Sequence, residues 1–179
     1  DFFYTDDQGV YYFPTRDAPS LMERDKAGRL DLNAWLKAHK DRIRKLSDKR
    51  LHLPPREPFM DGHNTWCANR PGTTLVIPVA DIAQMLLNIL SFMVQNGFCL
   101  YDDVNRQKIP GIERFSGLVD VNHPWPLSVV ERQALTFGSA ELTAACYAGS
   151  MILQALGLGG WMFTGIDMIS VLGASGDPN

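Results

Sequence analysis

Residues 51–71 hold the densest group of side chains able to do chemistry. Imidazole, thiol, carboxylate and amide groups surround an indole there, at His52, Asp61, His63, Asn64, Trp66, Cys67 and Asn69. His63 and Cys67, with His52 or Asp61, could be drawn as a zinc site, but their spacing matches no standard zinc pattern. A nucleophilic Cys67–His63 pair is a second interpretation, although nothing in the sequence shows that the two side chains meet. We therefore predict no metal site in this stretch.

The same stretch is rich in proline and contains Gly62, so we expect an irregular or extended loop. Loops held by a rigid scaffold often carry binding residues. We predict that aromatic side chains of such loops line a substrate pocket, at Trp66, Tyr101 and Trp125.

Cations cluster between residues 37 and 50, and a cluster of this kind supplies sequence-independent attraction for phosphates. The cluster consists of Lys37, Lys40, Arg42, Arg44, Lys45, Lys49 and Arg50. Asp41 and Asp48 interrupt it, and the whole chain has a net charge of −3. We expect a solvated helix face here and no nucleic-acid partner.

Residues 138–167, GSAELTAACYAGSMILQALGLGGWMFTGID, are the most apolar part of the chain. Apolar side chains recur at three- and four-residue spacing from Leu142 to Leu156, which predicts a helix capped near Ser139. Gly157 stands where a helix end needs a left-handed residue, and Trp161–Phe163 reads as a short buried strand. Because nearly every side of the helix is apolar, we expect it in the core or buried at a subunit interface.

This small-residue helix, followed by ALGLGGWMFTGID, resembles the late segment of the FMN-dependent nitroreductase family. Gly157, Leu158 and Gly159 match a glycine turn of that family. The next match is a loop at the flavin edge, made of Phe163, Thr164, Gly165, Ile166 and Asp167. The resemblance is strong over residues 138–167 and extends weakly back to Thr73. It does not cover the first seventy residues.

The resemblance implies an α+β fold, with a nitroreductase-like mixed sheet flanked by helices and a buried central helix. It also implies a homodimer that binds FMN between its subunits, takes electrons from NAD(P)H and reduces a small acceptor. The cofactor-binding residues would be Gly157, Leu158, Gly159, Gly160, Phe163, Thr164 and Gly165. The paired arginines that hold the FMN phosphate in the family have no clear counterpart. The alternative is therefore a protein of this fold that has lost FMN and acts as a ligand-binding or assembly module.

Turn residues and helix-capping residues predict where the other helices and strands begin and end. These are a hairpin in Asp1–Pro14, a helix from Asp31 to about Leu46, strands in Thr73–Val79, Phe98–Tyr101 and Gly117–Val121, and helices over 82–96 and 127–135. Asp81 is the expected cap of the 82–96 helix, Gly97 its end, and Ser128 the cap of the 127–135 helix. The adjacent Asp102 and Asp103 are expected to be turn acids.

Length and composition favour one globular domain over residues 1–179, with 45% hydrophobic and 21% charged residues. Within it we expect an N-terminal extension over 1–53 and a nitroreductase-like core over 73–179. No run of apolar residues is long enough to cross a membrane. Three isolated cysteines and no signal sequence favour the reducing cytoplasm. Residues 115–179 carry one Lys or Arg against five Asp or Glu, so a bound phosphate would need a cation from elsewhere.

Overall fold

The computed structural model describes residues 1–16, 18–19, 21–167 and 169. Three α-helices and seven β-strands form within these residues, which confirms the predicted α+β class. The chain divides into two compact units. One contains Asp1–Val79 together with the chain from Gly157 onward, and the other contains Ala80–Leu156. The residues predicted as a core over 73–179 therefore belong to both units.

The first unit contains a four-stranded antiparallel sheet with the order β3-β2-β1-β4. Its strands are β1 (Phe2–Asp6), β2 (Gly9–Phe13), β3 (Arg44–Ser47) and β4 (Leu75–Pro78). β1 and β2 form the predicted hairpin, with Asp7 and Gln8 in the turn. β4 pairs with the other side of β1, and Pro78 ends it opposite Phe2, as expected for an edge strand.

Hydrogen bonds join the β1–β2 hairpin to the segment after β3. The Thr5 hydroxyl donates to the carbonyl of Gly9 at 2.9 Å and accepts the Leu51 amide at 2.8 Å. Arg50 donates to the Asp7 carboxylate at 2.7 Å, and this bond holds the pKa of Asp7 below its usual value. The hairpin turn is therefore stabilised both by its own turn residues and by hydrogen bonds to residues far along the chain.

Helix α1 (Leu32–Lys40) begins as predicted, because the Asp31 carboxylate accepts the Ala34 amide at 2.9 Å. Its predicted end near Leu46 is wrong. The chain turns at Asp41 and continues as β3, whose backbone groups pair with β2. Pairing with a distant strand thus overrides the weak helical pattern of residues 41–46.

The apolar core of the first unit gathers residues from the proline-rich segment, β4 and the late glycine-rich segment. Leu53, Met60, Ala68 and Leu75 are buried at its centre. Partly buried side chains complete it, namely Leu51, Ile77, Phe163 and Ile166.

The second unit packs two helices on a three-stranded mixed sheet with the order β6-β5-β7. Its elements are α2 (Ile82–Gln95), β5 (Phe98–Asp102), β6 (Gln107–Lys108), β7 (Asp120–Pro126) and α3 (Leu127–Ala155). β5 runs parallel to β7 and antiparallel to β6, so the sheet is mixed. α2 has its predicted limits, with the Asp81 carboxylate capping the Gln84 amide and left-handed Gly97 following its end.

Helix α3 is one helix of 29 residues, where the sequence predicts two. Gly138, at the expected break, lies inside it and packs so closely on the Ile82 side chain that a Cβ would overlap it. Ser128 and Ser139 are therefore wrong as caps. The Asp103 carboxylate instead accepts both the amide (2.9 Å) and the hydroxyl (2.5 Å) of Ser128, and these bonds lower the pKa of Asp103.

The helix that the sequence predicts to be buried corresponds to the second half of α3, in which no described residue is buried. Val130, Ala134 and Gly138 of the first half are buried. Apolar side chains of the second half are exposed, including Tyr147, Met151 and Ile152. The pattern that predicts burial is present, but the described residues leave the apolar side chains of this half exposed.

Two predicted strands also differ. Trp161–Phe163 forms no strand, and the nearest pairing is a single bridge between Met60 and Ile166. The strand expected at Gly117–Val121 lies at Asp120–Pro126, because a short 3₁₀ helix at Ile112–Phe115 and a turn fill the preceding residues. Residues 173–179 lie outside the described residues. No described helix is both long and apolar enough to cross a membrane.

Candidate functional site

The glycine turn after α3 has the backbone geometry that the sequence predicts. Gly157 has a φ of +73°, in the left-handed region that ends helices at little cost for glycine. A Cβ at Gly157 or Gly159 would meet no atom within 4 Å among the described residues. Leu158, Gly160 and Thr164 are exposed as well. The main chain of this turn is therefore open to the approach of a ligand.

Gly165, by contrast, lies against the chain itself. Its carbonyl accepts the Asp61 amide at 2.8 Å, and the Asp167 amide donates to the Phe59 carbonyl at 3.1 Å. A Cβ at Gly165 would overlap the Asn64 amide nitrogen. Glycine is needed there so that the FTGID segment can dock on residues 59–64, whether or not a ligand binds.

Phe163 also has a role in packing, because it lies on the apolar core of the first unit. Trp161 stands near it, with ring centroids 6.1 Å apart, and remains exposed. The seven residues that the sequence assigns to cofactor binding thus fall into two groups. Phe163 and Gly165 hold the segment in place, and the other five are exposed.

The polar residues of 51–71 take part in local hydrogen bonds. Asn64 is buried; its side-chain nitrogen lies 3.0 Å from the His63 ring nitrogen, and its backbone carbonyl accepts the Cys67 thiol at 3.5 Å. Cys67 and His63 thus share Asn64 as a neighbour. Among the described residues, no three His, Cys, Asp or Glu side chains are grouped so that they could hold a metal ion.

The three aromatic residues predicted to line a substrate pocket belong to different units. Trp66 is 76% exposed and lies in the first unit. Tyr101 and Trp125 lie on the adjacent strands β5 and β7 of the second unit. The Trp125 ring meets Phe98 edge-on, with centroids 5.5 Å apart and planes at 87°. Of the three, Trp125 borders a groove.

This groove, of about 530 Å³, lies between α2, α3 and β7, and we call it the aromatic groove. An amide and a phenylalanine one helical turn apart enter it from each helix, Asn88 with Phe92 on α2 and Gln133 with Phe137 on α3. Ile89, Met93, Phe98 and Trp125 complete its lining. Sequence reasoning missed these residues. The repeated spacing of four is visible in the sequence, but the packing that brings the two pairs together is not.

A second cavity of about 270 Å³ lies beneath residues 109–119 and is lined only by apolar side chains. Buried Cys99 and Leu100 of β5 form one wall, and Ile112 and Phe115 form another. Its lining offers no polar group to orient a ligand, so it is a poorer candidate than the aromatic groove.

Of the adjacent acids at the end of β5, Asp102 is a turn acid, as predicted, whereas the Asp103 carboxylate binds the start of α3. Asp102 accepts the backbone amide of Asn105 at 2.9 Å and its side-chain amide at 2.7 Å, which lowers the pKa of Asp102. Asp103 caps α3. Asp102 therefore stabilises a local turn, and Asp103 joins the end of β5 to the start of α3.

The chain matches no protein-family model, and no curated protein or solved structure was found that matches it.

Proposed function

We propose that this protein is an FMN-dependent oxidoreductase of nitroreductase type, a homodimer that takes electrons from NAD(P)H and passes them to a small acceptor. One observation carries the proposal. The exposed apolar half of α3 runs directly into left-handed Gly157 and the open main chain of Gly159. An apolar helix surface of this kind favours burial against a second subunit.

The residues of the glycine turn suit a flat aromatic ligand. Main chain without side chains allows a ring to approach closely at Gly157 and Gly159. Leu158, Trp161 and Met162 expose apolar surface along the same segment. Flavin, when bound, supplies hydride and electron transfer, and the task of the chain is to hold the ring and exclude water. In this proposal the exposed Thr164 hydroxyl offers a hydrogen bond to the ring edge.

A second candidate is a ligand-binding or assembly module that does not bind FMN. The packing of Gly165 on Asn64 and of Phe163 in the core favours it. Two of the residues that match the flavin-edge loop are then explained by the stability of the chain alone. A small residue at 165 would be required in both candidates, so variants at that position do not separate them.

Gly159 offers the cleaner test, because a Cβ there would meet no atom within 4 Å among the described residues. Wild-type protein, Gly159→Leu and the control Gly117→Leu are incubated with FMN and desalted, and their absorbance spectra are recorded. Gly117 is also open within 4 Å among the described residues. We expect wild type and Gly117→Leu to retain the bands of oxidised flavin, and Gly159→Leu to lose at least about nine-tenths of them, as about hundredfold weaker binding would produce.

The two candidates give different results in this experiment. If wild-type protein retains no flavin after reconstitution, the oxidoreductase candidate is refuted and the binding-module candidate remains. Equal flavin retention by wild type and Gly159→Leu would keep a flavoprotein but refute this placement of the ring. Circular dichroism spectra of all three proteins establish that the variants are folded.

A further inference from the structure

We propose that the aromatic groove binds a neutral, planar aromatic molecule whose edge carries both a carbonyl and an N–H group. The groove lies entirely in the second unit, so the proposal does not depend on flavin binding at the glycine turn. Its volume of about 530 Å³ is within the usual range for small-molecule sites.

The aromatic side chains determine the shape of the ligand. Phe92, Phe98, Trp125 and Phe137 contribute to one groove, and buried Met93 forms part of its lining. The perpendicular contact between Phe98 and Trp125 sets two ring planes at right angles, so a flat molecule can stack on one ring while its edge meets the other. Methionine adds a polarisable contact for an aromatic ring.

The two amides determine the polar edge of the ligand. The Asn88 oxygen accepts a hydrogen bond from Gln84 at 3.1 Å, which favours its amide nitrogen as the donor to a ligand carbonyl. Gln133, on the facing helix, has both a donor and an acceptor. Two amides therefore recognise a lactam or carboxamide edge, which also offers one donor and one acceptor.

The charge of the lining determines the charge of the ligand. None of the eight residues lining this groove is ionisable. A ligand with a phosphate or carboxylate inside the groove would lose hydration without gaining an ionic partner there. The lining thus favours a neutral heteroaromatic over a nucleotide or an organic acid.

The test compares two bicyclic probes that differ in their polar edge, 4-quinazolinone and naphthalene. Their affinities are measured by isothermal titration calorimetry with wild-type protein, with Asn88→Leu/Gln133→Met and with the control Gln95→Met. Gln95 is an exposed amide in the last turn of α2 and does not line the groove. Both groove substitutions replace exposed amides on helix surfaces by good helix formers, so the double variant is expected to fold.

Wild type and Gln95→Met should bind 4-quinazolinone about tenfold more tightly than naphthalene, because two hydrogen bonds add roughly this factor. The double variant should lose that preference and keep its affinity for naphthalene. Equal binding of the two probes by wild type would overturn the lactam edge. If neither probe binds, the proposal is wrong, and a changed sedimentation coefficient of the double variant would then show that a second copy of the chain covers the groove.

Discussion

Both halves of α3 are rich in apolar residues, but buried residues occur only in the first half. In the first half, Val130 and Ala134 are buried, and Val130 joins Met93 of α2 and Leu100 of β5 in one core. In the second half, Ile152 is 61% exposed, although the helical spacing of its apolar residues is as regular. Periodicity therefore shows that a helix surface is suited to burial, but it does not show which chain provides the cover.

The boundary between the halves is close to Gly138. There α3 approaches the Ile82 side chain at the start of α2 so closely that only glycine fits without rearrangement. Residues before Gly138 share a core with α2 and β5, and several apolar residues after it face solvent in the isolated chain. Because soluble monomers rarely expose large apolar patches, the second half is where we expect a subunit contact.

The largest effect should come from Val130→Asp, because Val130 is 1% exposed. A carboxylate there would be buried in the apolar core without a partner, which costs more than about 4 kcal/mol. We expect loss of the cooperative urea transition monitored by circular dichroism. A normal transition midpoint would show that the first half is not a core element.

The second prediction concerns Met151→Asp/Ile152→Asp, whose consecutive positions cover two sides of the exposed half. The fold should persist, because both side chains face solvent in the isolated chain. Dimerisation should weaken by about a hundredfold, because each subunit would bury two carboxylates in the contact. Sedimentation over a range of concentrations measures this effect. An unchanged dimer, or a wild-type protein that is monomeric throughout, would refute the assignment of the contact.

The third prediction compares a glycine-to-alanine substitution in the two halves of α3. Gly149→Ala should stabilise the helix by about 1 kcal/mol, because alanine has the higher helix propensity and Gly149 has open space around it. Gly138→Ala should give no gain, because the new Cβ meets the Ile82 side chain. Urea denaturation in the Met151→Asp/Ile152→Asp background excludes any contribution from a subunit contact. Equal gains at both positions would contradict the close contact at Gly138.

The smallest effect concerns the start of the buried half. Hydrogen bonds from Ser128 lower the pKa of Asp103, so the folded state favours the carboxylate. The resulting stabilisation is present above the ordinary pKa of 3.8 and is lost as the pH falls through the lower folded value. Asp103→Asn should therefore be less stable than wild type at pH 7, with the difference shrinking below about pH 4. Glu141→Gln, an exposed acid in the middle of α3, serves as the control.

Local rules predicted the helix ends and turns that depend on neighbouring residues. Asp31 and Asp81 cap their helices, Gly97 and Gly157 end theirs, and the hairpin turn lies at Asp7. In each case the residue acts on backbone groups only a few positions away in the sequence. Such contacts can be predicted from the sequence because they require no knowledge of the rest of the fold.

Features that depend on distant partners could not be predicted in the same way. β3 forms because β2 offers it a pairing edge, and the close packing of Gly138 on Ile82 depends on a residue 56 positions earlier in the chain. The environment of Gly165 depends on Asn64, about a hundred positions earlier in the chain. The aromatic groove likewise requires two helices to meet. In every case the residues are visible in the sequence, but the contact between them cannot be predicted from it.

The position of β3 at one edge of the four-stranded sheet explains the cluster of cations near it. An exposed strand edge presents unpaired amides and carbonyls, to which a strand of another molecule can add. Arg44 and Lys45 are charged and exposed in β3, and Lys45 pairs with Asp48 at 2.8 Å. The opposite edge strand ends in Pro78, which has no amide hydrogen to donate. Both edges thus resist the strand addition that begins aggregation.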